Sequence, residues 1–80
     1  VLDVRTPEEY QDGHIPNALL VPLQQLEYKL NDLDKNEPYL VVCRSGNRST
    51  QASEILTNNS FTNIYNMTGG MNSWVYEIAK

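Results

Sequence analysis

Short apolar runs alternate with segments of helical periodicity along the whole chain. The strongest run, Tyr39 to Cys43, is continuous and partly β-branched, which is typical of a strand in a parallel sheet covered on both faces. Weaker strand signals occur at Val1 to Val4, Ala18 to Val21 and Asn63 to Asn66. Each run is short and bounded by polar or turn-forming residues, so the pattern predicts a small sheet.

Two helices are predicted in the first half of the chain. Thr6 is placed to cap a helix, Pro7 suits its first position, and Glu9 completes a capping box, so we expect a short helix that ends at Gly13. A second, amphipathic helix is predicted from apolar positions that recur at helical spacing. These positions are Leu23, Leu26, Leu30 and Leu33.

Two further helices are predicted in the second half. One begins near Ser49, places Ala52, Ile55 and Leu56 on one face, and ends at Asn58 or Asn59. A last helix is predicted over Met71 to Ala79. Strands thus alternate with helices, which predicts a single α/β domain over residues 1–80, with a small, mainly parallel sheet flanked by helices on both faces.

Composition narrows the range of functions. The chain has 80 residues, a formal charge of −4 and one cysteine, so no internal disulfide stabilises it and a zinc site of the paired-cysteine kind is excluded. The acidic balance argues against nucleic-acid binding, which needs clustered basic residues. No apolar run approaches the roughly 20 residues of a membrane span. A lone reactive thiol is best preserved in a reducing compartment, so we expect a cytoplasmic location.

The chemistry is concentrated in the loop after the strongest strand, which runs from Cys43 to Ser49. Such a loop directs several backbone N–H groups at one point, the start of the following helix adds partial positive charge, and Arg44 and Arg48 add more. This field favours the thiolate, so the pKa of Cys43 should lie below the ordinary value of about 8.5. We therefore expect a nucleophilic cysteine that acts on an anion.

Three simpler interpretations compete with this one. Cys43 is alternatively a small buried hydrophobe at the end of a strand. Arg44 and Arg48 are alternatively solvated surface charges. A protease-like pair of Cys43 with the only histidine, His14, is possible in space, but the two residues are distant in sequence.

The chain as a whole resembles the single-domain rhodanese family of thiosulfate sulfurtransferases. Four segments carry the resemblance, in the order that the family has them, and together they span nearly the whole chain. They are Asp3 to Tyr10, Gly13 to Ala18, Cys43 to Ser49 and Gly69 to Trp74. The family normally has a strand and a helix before the first segment, whereas only Val1 and Leu2 precede it here. The resemblance therefore implies either that the true chain is longer or that these first elements are lost.

The resemblance implies a sulfurtransferase that works without a metal or organic cofactor. Cys43 would take the sulfane sulfur of a small anionic donor, thiosulfate or a persulfide, and pass it from a persulfide to cyanide, a thiol or a protein acceptor. The donor and the persulfide would be held by the rest of the loop. Its residues are Arg44, Ser45, Gly46, Asn47 and Arg48.

The other family segments are interpreted as structural. Asp3 and Arg5 should join the strand end to the helix start, and His14 should fix its own loop. Trp74 should lie in the core with its indole N–H bonded. No nucleic-acid or membrane partner is expected.

Two alternatives to an active sulfurtransferase remain. Phosphatases and arsenate reductases of related design have one residue more between cysteine and arginine than the four residues, 44 to 47, found here. The shorter loop should be too tight for phosphate. The second alternative is a persulfide carrier or interaction module within a larger protein, with little turnover of thiosulfate.

Overall fold

A computed structural model describes the whole chain, residues 1–80. Its centre is one sheet of four short strands: β1 (Leu2–Asp3), β2 (Leu19–Leu20), β3 (Tyr39–Val42) and β4 (Ile64–Asn66). The strand order is β2-β1-β3-β4, and every neighbouring pair is parallel. All strands therefore end at the same side of the sheet, where the ligands of parallel α/β folds bind. The predicted parallel sheet is confirmed.

Three helices and three 3₁₀ turns connect the strands. The helices are α1 (Pro7–Asp12), α2 (Leu26–Lys29) and α3 (Asn47–Asn58), and the 3₁₀ turns are Leu23–Gln25, Leu30–Asp32 and Gly70–Ser73. The capping box of α1 is present as predicted. The Glu9 N–H donates to the Thr6 hydroxyl and the Thr6 N–H donates to the Glu9 carboxylate, both at 3.2 Å. The helix then ends at Gly13.

The core occupies both faces of the sheet. Val41 and Val42 of β3 belong to different clusters, because successive side chains of a strand point to opposite faces. On one face α3 contributes Ala52 and Leu56. On the other face the small cluster of Ile15, Ala18 and Val42 is covered by half-buried side chains. They are Tyr10, Leu40, Met67, Met71 and Trp74.

The single amphipathic helix predicted for the leucine-rich stretch is wrong. The chain instead forms a 3₁₀ turn, the short α2 and a second 3₁₀ turn, and only Leu26 is fully buried. Leu23 to Leu26 and Leu30 to Leu33 are intervals of three residues, which align side chains in 3₁₀ geometry. No side chain caps the start of α2, and the segment stays irregular while its leucines still contact the core.

The predicted C-terminal helix is also wrong. After the 3₁₀ turn the chain extends, and Ala79 exchanges backbone hydrogen bonds with His14 at 2.8 and 3.0 Å. Val75 is 82% exposed and Tyr76 is 74% exposed, so the apolar residues of this segment find no surface on which a short helix could be stabilised. Trp74 is half-buried, and its indole N–H donates to the Glu77 carbonyl at 3.0 Å.

The 3₁₀ turn Gly70–Ser73 holds the end of β3 in place. The Met71 N–H donates to the Cys43 carbonyl at 2.8 Å, and the Asn72 N–H donates to the Arg44 carbonyl at 3.0 Å. Gly70 has a φ of +59°, and a Cβ there would lie 2.5 Å from the Arg44 carbonyl oxygen. Only glycine fits this position without displacing the loop that follows β3.

We therefore expect Gly70→Ala to destabilise the fold. The left-handed backbone and the contact with Arg44 should together cost at least ~1–2 kcal/mol of unfolding free energy. Urea unfolding followed by circular dichroism measures this loss. Asn72→Ala is the matched control, because the Asn72 side chain is exposed and its backbone bond is retained. Equal stability of Gly70→Ala and the wild type would contradict this account of the turn.

Candidate active site

Cys43 lies at the carboxyl end of β3, an interior strand of the sheet, and opens the loop that leads into α3. The residue is 1% exposed, so the loop encloses its sulfur. The structure has two surface cavities, of about 440 and 270 Å³, and neither is lined by a residue of 43 to 49. Neither cavity therefore opens onto this loop.

The Cys43 sulfur lies within hydrogen-bond distance of polar groups of Gly46 and Ser49. The Gly46 N–H donates to it at 3.0 Å, and the thiol lies 3.6 Å from the hydroxyl of the fully buried Ser49. Ser49 in turn donates to the Gly46 carbonyl at 3.1 Å. Gly46 makes this arrangement possible because its φ of +108° is the left-handed conformation that turns the loop back towards the sulfur.

The left-handed Gly46 also explains where α3 begins. The helix was expected to start near Ser49, but it starts at Asn47, with Gly46 as its N-cap. Ser49 therefore lies within the first turn of α3 and not at its boundary. Since the first N–H groups of a helix have no partner within it, the start of α3 directs donors at the sulfur.

Opposing effects determine the pKa of Cys43. Burial raises the pKa, but the hydrogen bonds of the sulfur with the Ser49 hydroxyl and with the backbone N–H groups of Ser49, Gly46 and Ser45 together outweigh it. The pKa therefore lies below the ordinary value for a thiol, in the direction that the sequence predicts. The thiolate is the reactive form of cysteine, so this site favours a nucleophile.

The remaining residues of the predicted site lie around the sulfur in the same loop. The side chains of Ser45 and Asn47 are exposed and make no hydrogen bond, and of the two residues only Ser45 bonds the sulfur through its backbone N–H. Thr50 and Asn66 support the loop from behind. The Thr50 hydroxyl donates to the Gly46 carbonyl at 2.7 Å and accepts from the Asn66 amide at 2.9 Å.

The two arginines of the loop meet one carboxylate that the sequence reasoning assigned only to helix capping. Arg48 donates to the two oxygens of Glu9 at 2.6 and 2.9 Å, and Arg44 donates to Glu9 at 3.1 Å. Arg44 remains 57% exposed, whereas Arg48 is partly buried. Neither guanidinium is unpaired, which differs from the expectation that both are available for an anionic donor.

This cluster stays ionised over a wide pH range. The hydrogen bond from Arg48 holds the pKa of Glu9 far below its usual value, against an opposing effect of burial, with further contributions from Thr6 and Arg44. The same hydrogen bond raises the pKa of Arg48. At neutral pH the mouth of the loop therefore contains two positive charges and one fixed negative charge from α1.

The topology explains how Glu9 reaches the loop. α1 follows β1, α3 follows β3, and β1 and β3 are parallel neighbours. The starts of the two helices therefore lie side by side, although Glu9 and Arg48 are 39 positions apart in sequence. Once the order of the strands is known, the adjacency of β1 and β3 predicts the contact between Glu9 and Arg48.

Asp3 and Arg5 form a separate, buried pair beside the site. The Arg5 guanidinium donates to both Asp3 carboxylate oxygens at 2.8 to 3.1 Å and to the Gly13 carbonyl at 2.8 Å. The pair thus joins the end of β1 to Gly13 at the end of α1. Its role is structural, as predicted, but the sequence predicted a link to the start of the helix. His14 stacks on Tyr10, with ring centroids 3.6 Å apart, and its Nδ1 lies 2.8 Å from the Tyr10 carbonyl.

No group of three or more His, Cys, Asp or Glu side chains is arranged to hold a metal ion. None of the helices has the length and apolar character needed to cross a membrane.

Known proteins resemble this chain over most of its length. YrkF of Bacillus subtilis, named as a candidate sulfur carrier protein, is 36% identical over 92% of this chain, and PspE of Escherichia coli, named a thiosulfate sulfurtransferase, is 37% identical over 85%. The chain spans 40% of YrkF, 59% of a second B. subtilis relative and 67% of PspE.

Solved structures and a family model agree with these relatives. A rhodanese-like domain protein from Staphylococcus aureus has a TM-score of 0.88 and 43% identity, with 95% of this chain and 74% of that chain covered. The rhodanese-like domain family model matches residues 1–77. The relatives named for sulfur transfer and sulfur carriage, the shared fold and this match together show that the chain belongs to the rhodanese-like domain family.

Proposed function

We propose that this protein is a rhodanese-type sulfurtransferase that carries a sulfane sulfur as a persulfide on Cys43. The observation that supports this most is the enclosure of the Cys43 sulfur by hydrogen-bond donors, with the Gly46 N–H at 3.0 Å. Such donors stabilise negative charge on sulfur, both on the thiolate and on the outer atom of a persulfide. The names of relatives such as PspE add support for thiosulfate as a donor.

The first step loads the cysteine. The Cys43 thiolate attacks the outer sulfur of the donor, a new S–S bond forms, and the S–S bond of the donor breaks. With thiosulfate the electron pair of the broken bond leaves on sulfite. The N–H groups of residues 44 to 48 hold the resulting persulfide, while Arg44 and Arg48 line the route of the anion.

The second step releases the sulfur. A cyanide ion or a thiolate attacks the outer persulfide sulfur, the bond to that atom breaks, and the electron pair returns to Cys43 as thiolate. The products are thiocyanate or a new persulfide. Both steps balance without an added oxidant or reductant, so the cycle needs only a donor and an acceptor.

A persulfide carrier within a longer protein is the second candidate function. It is favoured by the likeness to YrkF, of which this chain spans 40%. The enclosed sulfur fits a hand-over between proteins as well as it fits a small donor. A carrier would load stoichiometrically but turn over slowly, so the steady-state rate with small donors distinguishes the two.

Cys43→Ser should abolish sulfur transfer and leave the fold intact. The variant has nearly the same volume at a buried position but lacks the nucleophile. Thiocyanate formation from cyanide with thiosulfate, or with methanethiosulfonate, should fall to the level of buffer alone, while the circular dichroism spectrum stays unchanged. Turnover near that of the wild type would remove Cys43 from its proposed role.

The rate of Cys43 alkylation should report its lowered pKa. Thiolate reacts with iodoacetamide and thiol does not, so the rate should reach half its maximum at a pH below the value of about 8.5 for a free thiol. Loss of the hydroxyl in Ser49→Ala should move this midpoint upward by roughly half to one pH unit.

Ser53→Ala is the matched control for this measurement. Ser53 lies on the same helix, and its hydroxyl oxygen is buried without a hydrogen-bond partner, so the midpoint should not move. A midpoint at the free-thiol value in the wild type, or an equal shift in both variants, would contradict the proposed electrostatics.

A further inference from the structure

Glu9 is placed where it can control which donors the loop accepts. Its carboxylate accepts from Arg48 twice and from Arg44 once, and it also accepts from the Thr6 N–H at 3.2 Å and from the Thr6 hydroxyl at 3.1 Å. The Glu9 side chain is only 17% exposed. The Glu9 carboxylate is therefore held both by its own helix and by the active-site loop, and moving it away from the two guanidinium groups costs free energy.

Once the Cys43 thiolate forms, the formal charges at the loop sum to zero. Arg44 and Arg48 contribute two positive charges, and Glu9 and the Cys43 thiolate contribute two negative ones. An incoming dianion must compete with Glu9 for the same guanidinium groups, and it meets Glu9 at close range. Since Glu9 repels a dianion about twice as strongly as a monoanion at the same distance, its charge disfavours the doubly charged donor relative to the singly charged one.

We propose that Glu9 is a specificity-determining residue, which disfavours doubly charged donors such as thiosulfate and favours singly charged sulfane donors, namely thiol persulfides and thiosulfonates. This inference rests on the proposed sulfur transfer, since it concerns the donor of that reaction. Arg44 and Arg48 then hold Glu9 and tune the site, in addition to attracting the donor.

A pair of donors with the same reacting bond tests the proposal. Thiosulfate and methanethiosulfonate each present a terminal sulfur on a sulfonyl group, but the first carries two negative charges and the second carries one. Glu9→Gln removes the charge and keeps an oxygen that completes the capping box, because glutamine serves in that motif as glutamate does. The kcat/KM for thiosulfate divided by that for methanethiosulfonate should rise roughly three- to tenfold in this variant.

Glu8→Gln is the matched control. Glu8 is exposed on the same helix and contacts neither arginine, so the variant makes the same change in net charge. Its ratio of kcat/KM values should equal that of the wild type. An unchanged ratio in Glu9→Gln, or an equal rise in Glu8→Gln, would overturn the proposal.

A second measurement tests Glu9 without sulfur transfer. Iodoacetate is an anion and iodoacetamide is neutral, and both alkylate the Cys43 thiolate. Their rate ratio cancels any change in the pKa of Cys43. Glu9→Gln should raise the ratio of iodoacetate to iodoacetamide rates several-fold over wild type and Glu8→Gln. An unchanged ratio of the two alkylation rates would refute the role of Glu9. If Glu9→Gln raises that ratio but the wild type transfers sulfur from neither donor, only the proposed function is refuted.

Discussion

The proposed active site depends on one constraint: the thiolate of Cys43 must be stabilised at the buried end of an interior strand. Burial disfavours the thiolate of Cys43, and the Gly46 N–H and the Ser49 hydroxyl offset that effect. This requires a tight turn directly after β3, which only the left-handed conformation of Gly46 allows. The neighbouring turn at Gly70 then fixes the base of the loop through the Cys43 carbonyl.

The charge around that sulfur is set by contacts between elements that are far apart in sequence. Because β1 and β3 are adjacent and parallel, the start of α1 lies against the start of α3. Glu9 thereby joins the capping box of one helix to the arginines of the other. The site is consequently less positive than its sequence suggests, and its selectivity arises from the packing of two helix starts and not from the loop alone.

Local patterns in the sequence were sufficient for the parallel sheet, the capping box of α1 and the loop that carries Cys43. Local patterns were insufficient where contacts between distant segments determine the structure. The segment after Trp74 has helical periodicity but no surface to cover, so its backbone pairs with His14 instead. The contact of Glu9 with Arg48 was also beyond local reasoning, because it depends on the strand order. The hydrogen bond from Gly46 to the sulfur depends on a φ angle that spacing alone does not reveal.

The central claim is that Cys43 accepts and releases a sulfane sulfur. The most direct test is the intact mass of the protein after stoichiometric thiosulfate or methanethiosulfonate, followed by cyanide. The account predicts a gain of one sulfur atom, located by peptide mapping on the segment that contains Cys43 and removed by cyanide as thiocyanate. An unchanged mass with both donors would contradict it.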